Sequence, residues 1–400
     1  MDLLQQRITD FPTSIENKPG SSAQRYVCDC GRGGHLPLYM TYLVRDHGYM
    51  KWPQQPWFQD ITNHGKQYFC PLGRRIVELC DEPQFCSSTR FFLKNRKWLD
   101  EKDLVLKLVP ELMPPTFDKL QDAKNYCDHI RISSGDSENL VWFLKKINQN
   151  GGRAVHVSLG LPTKALEPDE QLQVHIQRPL LCQYSKIING QEVFGCHKCH
   201  VKTYQWIGCT KDEATNKISW QLYIHDLYYL AIADEPFDPS NVSDEVQITT
   251  MRRRRLYADH PWRVQWDLTM KCQTNMETIL RRAIEQGKLQ CHPPSSEIEG
   301  QRTAENAALQ FEVMSADWML DEDGNMFFIE CNGTPVLYDP SISQPLTTRG
   351  LNLYDGLCRE DPEGAVVNDS DLLREAIGLA LNGKLPKTTL WKHIATIPSP

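Results

Sequence analysis

No run in this chain approaches the roughly 20 apolar residues that a membrane-spanning helix needs, and Met1–Gly20 lacks the apolar stretch of a secretory signal. Neither a membrane nor a secreted protein is expected, and the default location is the cytoplasm. G-x-x-x-x-G-K-[ST] is missing, which excludes the usual P-loop. There is no surplus of positive charge either: the formal balance of −7 argues against general nucleic-acid affinity. No internal repeat of fixed period is found. Fourteen cysteines are scattered over 400 residues without a leader to carry them outside, so they read as reduced thiols rather than a disulfide framework.

What is there is ordinary globular composition, 40% hydrophobic and 24% charged, over a length that suggests two or three packed units. The opening residues are rich in Ser, Pro, Gln and Asn and read as a flexible leader. Tyr26 and Val27 read as a short strand and Leu36 to Val44 as a helix. Phe91 to Leu112 contains a helix that Pro114 and Pro115 must end, and a domain border falls near Ser88. After Ser137 short runs of Val, Ile, Leu and aromatics alternate with Gly, Asn and Pro breaks, as successive strands do. The strand candidates are Leu140–Ile147, Arg153–Ser158, Leu172–Ile176, Cys199–Ile207, Ile218–Ile224, Phe311–Leu320 and Met326–Cys331. Helices are expected over Asn275–Gln286 and Asp371–Leu381. Arg252, Arg253, Arg254 and Arg255 form a dense positive run, to be read as a solvated loop or helix face, or as a dock for an acidic partner.

The most informative segment is Leu309–Leu337. Asp321, Glu322, Asp323 and Gly324 read as a hairpin turn between two strands. If Leu320 pairs with Asn325, then Asp317 faces Phe328, and Asp317, Glu330 and Asn332 share one face because side chains alternate with period two. Asp317 and Glu330 become diagonal neighbours, about 7 to 8 Å apart at the backbone. Two carboxylates and an amide oxygen suit a hard divalent cation, magnesium; a salt bridge or a solvated face is the alternative. Earlier in the chain, a strand with Lys145 leads through Asn150, Gly151, Gly152 and Arg153 into a second strand. A strand lysine can hold nucleotide phosphates while a glycine loop lets backbone N–H groups approach them, although paired glycines also make plain structural turns.

These pieces together resemble the ATP-grasp domain of the tubulin tyrosine ligase family, in order from about Phe91 to Tyr338. Trp142-Phe143-Leu144-Lys145 with Asn150-Gly151-Gly152-Arg153 resembles the family's nucleotide lysine and glycine loop. Gln173-Val174-His175-Ile176-Gln177-Arg178-Pro179-Leu180-Leu181 resembles its hinge against adenine. Phe311-Glu312 to Asp317, then Ile329-Glu330-Cys331-Asn332-Gly333-Thr334-Pro335, is the nearest likeness. Lys102-Asp103 and Pro115-Thr116-Phe117 resemble the entry to its central domain. The resemblance implies an α+β fold of ATP-grasp architecture, with mixed or antiparallel sheets flanked by helices and a smaller N-terminal domain. The units would be a leader (1–24), an N-terminal domain (25–88), a central domain (89–184) and a C-terminal domain with the metal site (185–400).

By the same likeness Asp317, Glu330 and Asn332 hold magnesium. Lys102, Lys145, Gly151, Gly152, Arg153, Gln173, Ile176, Lys198 and Lys202 bind ATP, and Lys198, Lys202 and Glu330 are catalytic. The implied reaction passes the ATP γ-phosphoryl group to a carboxylate and joins the acylphosphate to an amine. The implied partners are a free amino acid and tubulin or another acidic protein tail, in the cytoplasm or on microtubules.

Some positions depart from the family. Lys198-Cys199-His200-Val201-Lys202 stands where Lys-Phe-Asp, an apolar residue and Arg are usual, and Ala231 and Thr250 stand where Arg and Asn are usual. Lys202 lacks the arginine fork and His200 replaces an acid. Either the substrate differs, as in a ligase for a peptide or small molecule, or transfer is impaired in a microtubule-binding module that keeps the fold. Cys196-His197-Lys198-Cys199-His200 also invites a zinc reading, but its spacing is poor and no second Cys-x-x-Cys pair completes the ligands.

Overall fold

The computed structural model describes residues 25–26, 50–51, 89–91, 93, 95–134, 140–147, 155–188, 191–211, 215, 217–226, 228–249, 253–256, 267–291, 309–333, 335, 370–382 and 385–400. The expected helix Leu36–Val44, the glycine loop with Gly151, Gly152 and Arg153, and Thr250 lie outside them. Within them the chain is a mixed α+β protein whose larger sheets pair mainly antiparallel.

The strands are β1 (Arg25–Tyr26), β2 (Met50–Lys51), β3 (Thr89–Phe91), β4 (Thr116–Phe117), β5 (Val141–Lys146), β6 (Val155–Leu159), β7 (Glu170–Val174) and β8 (Leu181–Ile188). They continue with β9 (Gln191–Lys211), β10 (Ile218–His225), β11 (Tyr229–Ile232), β12 (Arg253–Leu256), β13 (Leu309–Leu320), β14 (Met326–Asn332) and β15 (Trp391–Pro398). The helices are α1 (Lys97–Asp100), α2 (Lys102–Leu108), α3 (Leu120–Ser134), α4 (Asp244–Gln247), α5 (Leu268–Glu285) and α6 (Ser370–Asn382).

A four-stranded sheet has the order β4-β7-β5-β6. One face, with Leu140, Trp142, Leu172 and Val174, packs on α3 through Ala123 and Tyr126. Alternation turns Phe143, Lys145, Gln173 and His175 to the other face. A nine-stranded sheet is built around β9, which pairs with β8, β10, β11 and β13 in turn. Its face with Cys199, Val201, Ile207, Met314, Ala316 and Trp318 is covered by Leu99, Val105 and Leu108 of α1 and α2 and by Cys272, Met276, Ile279 and Ala283 of α5. A full-length apolar stripe on α5 is what burial against a flat sheet requires. Lys198, His200, Lys202 and Asp317 consequently belong to the opposite face.

Three expectations are corrected here. The arginine run is neither loop nor helix over its described part, since Arg253–Leu256 forms β12 at the end of the large sheet, paired with β11. Not all thiols are free: the end of α5 brings Cys291 beside β9, 6.3 Å between Cα atoms, where it is joined to Cys209. Described cysteines that remain free are Cys127, Cys182, Cys196, Cys199, Cys272 and Cys331.

The hairpin register also differs. Asp321 accepts the backbone N–H of Asp323 and of Asn325 through its Oδ1 and the Asn325 side-chain amide through Oδ2, and Gly324 adopts a left-handed φ of 78°. This fixes a five-residue connection, so Leu320 pairs with Met326 rather than Asn325. Continued without a break, that register would set Glu330 opposite Ala316, on the wrong face. A β-bulge at Ile329 restores the phase: Trp318 pairs with Phe328, and Asp317 pairs directly with Glu330. The two acids are therefore direct rather than diagonal neighbours.

Candidate functional site

The faces of the two sheets turned away from α3 and α5 meet, and nearly all the charged candidates lie between them. From the large sheet, β9 contributes Lys198, His200 and Lys202 at alternate positions, β13 contributes Asp317 opposite Lys202, and β14 contributes Glu330 opposite Asp317. Asn332 follows two residues later and donates from its amide to Glu330 Oε1 at 3.3 Å. From the small sheet, Lys145 donates to Gln173 Oε1 at 2.6 Å, and Gln173 Nε2 donates to Thr116 Oγ1 at 2.9 Å. Lys102 at the start of α2 reaches Glu330 Oε2 at 3.3 Å.

Asp317 is 2% exposed, a position where an uncompensated carboxylate is costly. Its compensation is an ion pair with Lys202 through Oδ1 and a 3.4 Å approach of His200 Nε2 to Oδ2. Glu330 is pushed up by burial, but Lys102, Lys145 and Lys202 with the Asn332 hydrogen bond outweigh that and hold it at about 2. Lys145 moves the other way. Burial, aided by the neighbouring Lys102, lowers its ammonium to about 8 against the opposing pull of Glu330 and Asp317.

Lys198 is buried, with Nζ 4.5 Å from the centre of the Phe143 ring and a 3.3 Å hydrogen bond to Gln247 Oε1. Burial and the charge of Lys145 depress it well below an ordinary lysine. It spans the gap between the sheets, and His175 does likewise by lying between Phe143 and Phe237, ring centres 5.7 and 5.8 Å away. Burial, then Lys198, lowers His175 to about 2, so its ring is neutral. His200 is also lowered, by burial first and by Lys202 and Lys198, against the pull of Asp317 and Glu330. Its Nδ1 lies 2.6 Å from Thr249 Oγ1, which fixes the ring with Nε2 towards Asp317.

Of the residues expected from sequence, Lys102, Lys145, Gln173, Lys198, Lys202, Asp317, Glu330 and Asn332 form this one group. Ile176 departs from it. One residue beyond His175, it lines a cavity of about 380 Å³ behind β7 with Tyr126, Ile130 and Phe327. Thr116, Phe143 and His175 stand inside the quoted motifs without being named as site residues, and Phe237, Gln247 and Thr249 were not expected at all. For Phe143 and His175 the signal was period-two alternation with Lys145 and Gln173; Gln247 and Thr249 carry none, being placed by a one-turn helix distant in sequence.

Zinc finds no site at 196–200. Strand geometry leaves Cys196 exposed and Cys199 buried among apolar residues, and His197 Nδ1 contacts Ala233 O at 3.0 Å. Among the described residues no group of three or more His, Cys, Asp or Glu is arranged to hold a metal ion. Magnesium is compatible with less, because it is commonly held by one or two carboxylates while phosphates and waters fill the remaining octahedral positions. Asp317, Glu330 and Asn332 supply oxygen donors of that kind on one face.

No protein-family model and no curated protein matches the chain. The chemistry must be argued from the site itself: two opposed carboxylates, four lysines around them, and a second sheet facing them.

Proposed function

We propose that this chain is an ATP- and magnesium-dependent carboxylate–amine ligase of ATP-grasp type, resembling the enzymes that add amino acids to tubulin tails. The observation that carries this reading is the direct pairing of Asp317 with Glu330 inside a ring formed by Lys102, Lys145 and Lys202. Two buried acids among an excess of lysines suit a polyphosphate and its cation, which can exchange partners with both.

Asp317, Glu330 and Asn332 would hold magnesium, which would neutralise phosphate oxygens as charge spreads during transfer. Lys102, Lys145 and Lys202 would supply positive charge to the phosphates. Gln173, bonded to both Lys145 and Thr116, orients the lysine that meets the phosphates. The γ-phosphoryl group passes to an oxygen of the acceptor carboxylate, leaving ADP and an acylphosphate. An amine nitrogen then attacks the acyl carbon, the carbon–oxygen bond to phosphate breaks, and the nitrogen loses a proton, giving an amide and inorganic phosphate. Preorganised positive charge in a water-poor site supplies most of the acceleration.

A second reading, a binding module that keeps the nucleotide site without transfer, is favoured by His200. A neutral imidazole locked on Thr249 and facing Asp317 offers no negative charge where the family has an acid. Incubation with magnesium, ATP, single radiolabelled amino acids and tubulin separates the readings. Label on tubulin supports the leading one, ATP binding without label supports the module, and ADP release with a peptide or small acceptor alone indicates another ligase substrate. Absence of ATP binding overturns all three.

A further inference from the structure

β9 pairs with β13 from Leu309 to Trp318 and so occupies one edge of it throughout that stretch. The other edge is shared, because β3 pairs with Leu309–Phe311 and β14 with Ser315–Leu320. Among the described residues no strand takes 312–314 on that edge, and the ladder that carries Glu330 stops where Ser315 faces Asn332. The chain leaving β14 at Gly333 is held by a side chain instead.

That side chain is Arg96. Its Nη1 donates to the Gly333 carbonyl oxygen at 3.3 Å and to Glu312 Oε1, and its Nε lies 3.1 Å from Asp100 Oδ2. The Glu312 side chain is 1% exposed and its Oε2 accepts the Leu93 N–H at 3.3 Å, so the anchor on β13 is itself fixed. One guanidinium thus joins β13, α1 and the exit of β14. Gly333 fits closely against it: a Cβ there would lie 2.8 Å from Arg96 Cζ and Nε.

Both arms lead to Glu330. Gly333 follows Asn332, whose amide donates to Glu330 Oε1 at 3.3 Å. Asp100 ends α1, and the single residue Glu101 separates it from Lys102, which pairs with Glu330 Oε2 at 3.3 Å. Each oxygen of Glu330 is therefore held by a group one or two residues along the chain from an Arg96 contact.

We infer that Arg96 is a positioning residue for the cation site: by tying the exit of β14 to the start of α2, it keeps Glu330 and Asn332 aimed together at one divalent ion. It acts through these neighbours and belongs to the α1 side of the sheet, with Glu312. Arginine suits the task because its planar fork carries donors in fixed, separate directions, whereas a lysine ammonium gathers them at one point and cannot span all three partners. The inference rests on the cation site of the ligase reading and not on ATP or on transfer.

The probe is manganese, a hard cation that takes the same oxygen donors as magnesium and is read by electron paramagnetic resonance. Its affinity for the full chain is measured with and without ATP, and ATP affinity is measured separately in chelator. Arg96→Lys, and Gly333→Ala, which pushes the guanidinium aside without removing its charge, should each weaken manganese about tenfold to a hundredfold, as loss of groups that orient metal ligands does. ATP affinity in chelator should change by no more than about twofold. Arg282→Ala is the control for a purely structural loss, since it removes the tie from α5 to the Leu108 carbonyl and Glu111. It should lower Tm and leave manganese affinity within about twofold. Thermal melting shows which variants are folded, and should Arg96→Lys not fold, Gly333→Ala carries the test alone. Unchanged manganese affinity in a folded Arg96→Lys or Gly333→Ala would overturn the inference, as would an equal loss in Arg282→Ala or an equal loss of ATP affinity in chelator. Wild type that binds no manganese in either state would also overturn it. Wild type that binds manganese but not ATP would instead overturn the ligase reading and leave Arg96 in place.

Discussion

Asp317 and Glu330 stand directly opposite each other because Ile329 is bulged out of the ladder between β13 and β14. The pair is positioned by backbone geometry and held by different lysines, Lys202 for the aspartate and Lys102 for the glutamate. Removing either acid therefore disturbs both the fold and the charge that would receive a cation.

Glu330→Gln separates these effects. The buried Lys102 loses its counter-charge, and a loss of about 3 kcal/mol is expected in metal-free protein by denaturant unfolding. Magnesium–ATP at about a hundred times its Kd should stabilise the wild type by about 2.7 kcal/mol and the variant hardly at all. Equal stabilisation of both would mean that Glu330 does not serve the cation.

Lys145 has a value of about 8 in the free protein, so part of the population is neutral at that pH. Phosphate binding favours the ammonium form, so magnesium–ATP should bring a proton with it at about pH 8.5 and scarcely any at about pH 6.5. Calorimetry in buffers of different ionisation enthalpy reads that uptake directly. In Lys145→Arg the buffer dependence should vanish; its persistence would assign the proton elsewhere.

Glu312 lies buried beside Arg96 and the Leu93 N–H, and burial raises its carboxyl to about 7 despite both. A folded-state value above the ordinary 4.5 means that the fold keeps a proton which the unfolded chain has lost. Its contribution is full below about pH 4.5 and declines as pH rises to about 7, on the order of 3 kcal/mol in all. Glu312→Gln should flatten the stability profile over that interval, and an unchanged slope would refute the assignment.

Cys209 and Cys291 close a loop with a sequence separation of 82. Reductant should lower stability by about 2 to 4 kcal/mol, read as a fall in Tm. The Cys209→Ser, Cys291→Ser double variant should melt alike with and without reductant. Two titratable thiols at these positions in non-reduced protein would contradict the cross-link.

Much of the fold was legible because period-two alternation is strong where one face is buried. Ile218–Ile224 and Met326–Cys331 came within a residue or two of β10 and β14. The second half of α5 and nearly all of α6 were found from helical spacing. Helix α3 was missed because Asp122, Lys124, Asp128, His129 and Arg131 leave only a narrow apolar stripe. β12 was missed because a run of arginines has no strand pattern, and pairing with β11 decides its conformation. The site's members were legible as residue types at plausible spacing. Their exact opposition was not, since it depends on the Asp321 turn and the Ile329 bulge cancelling in register, and neither leaves a hydrophobic signature.

One long strand, β9, carries Lys198, His200 and Lys202 on consecutive outward positions while Cys199 and Val201 enter the packed core. A slip of a single residue along it would turn both apolar groups into the charged site and drive three basic side chains into hydrocarbon. The three basic residues that β9 brings to the site therefore arrive together, with the same event that seals the protein's interior.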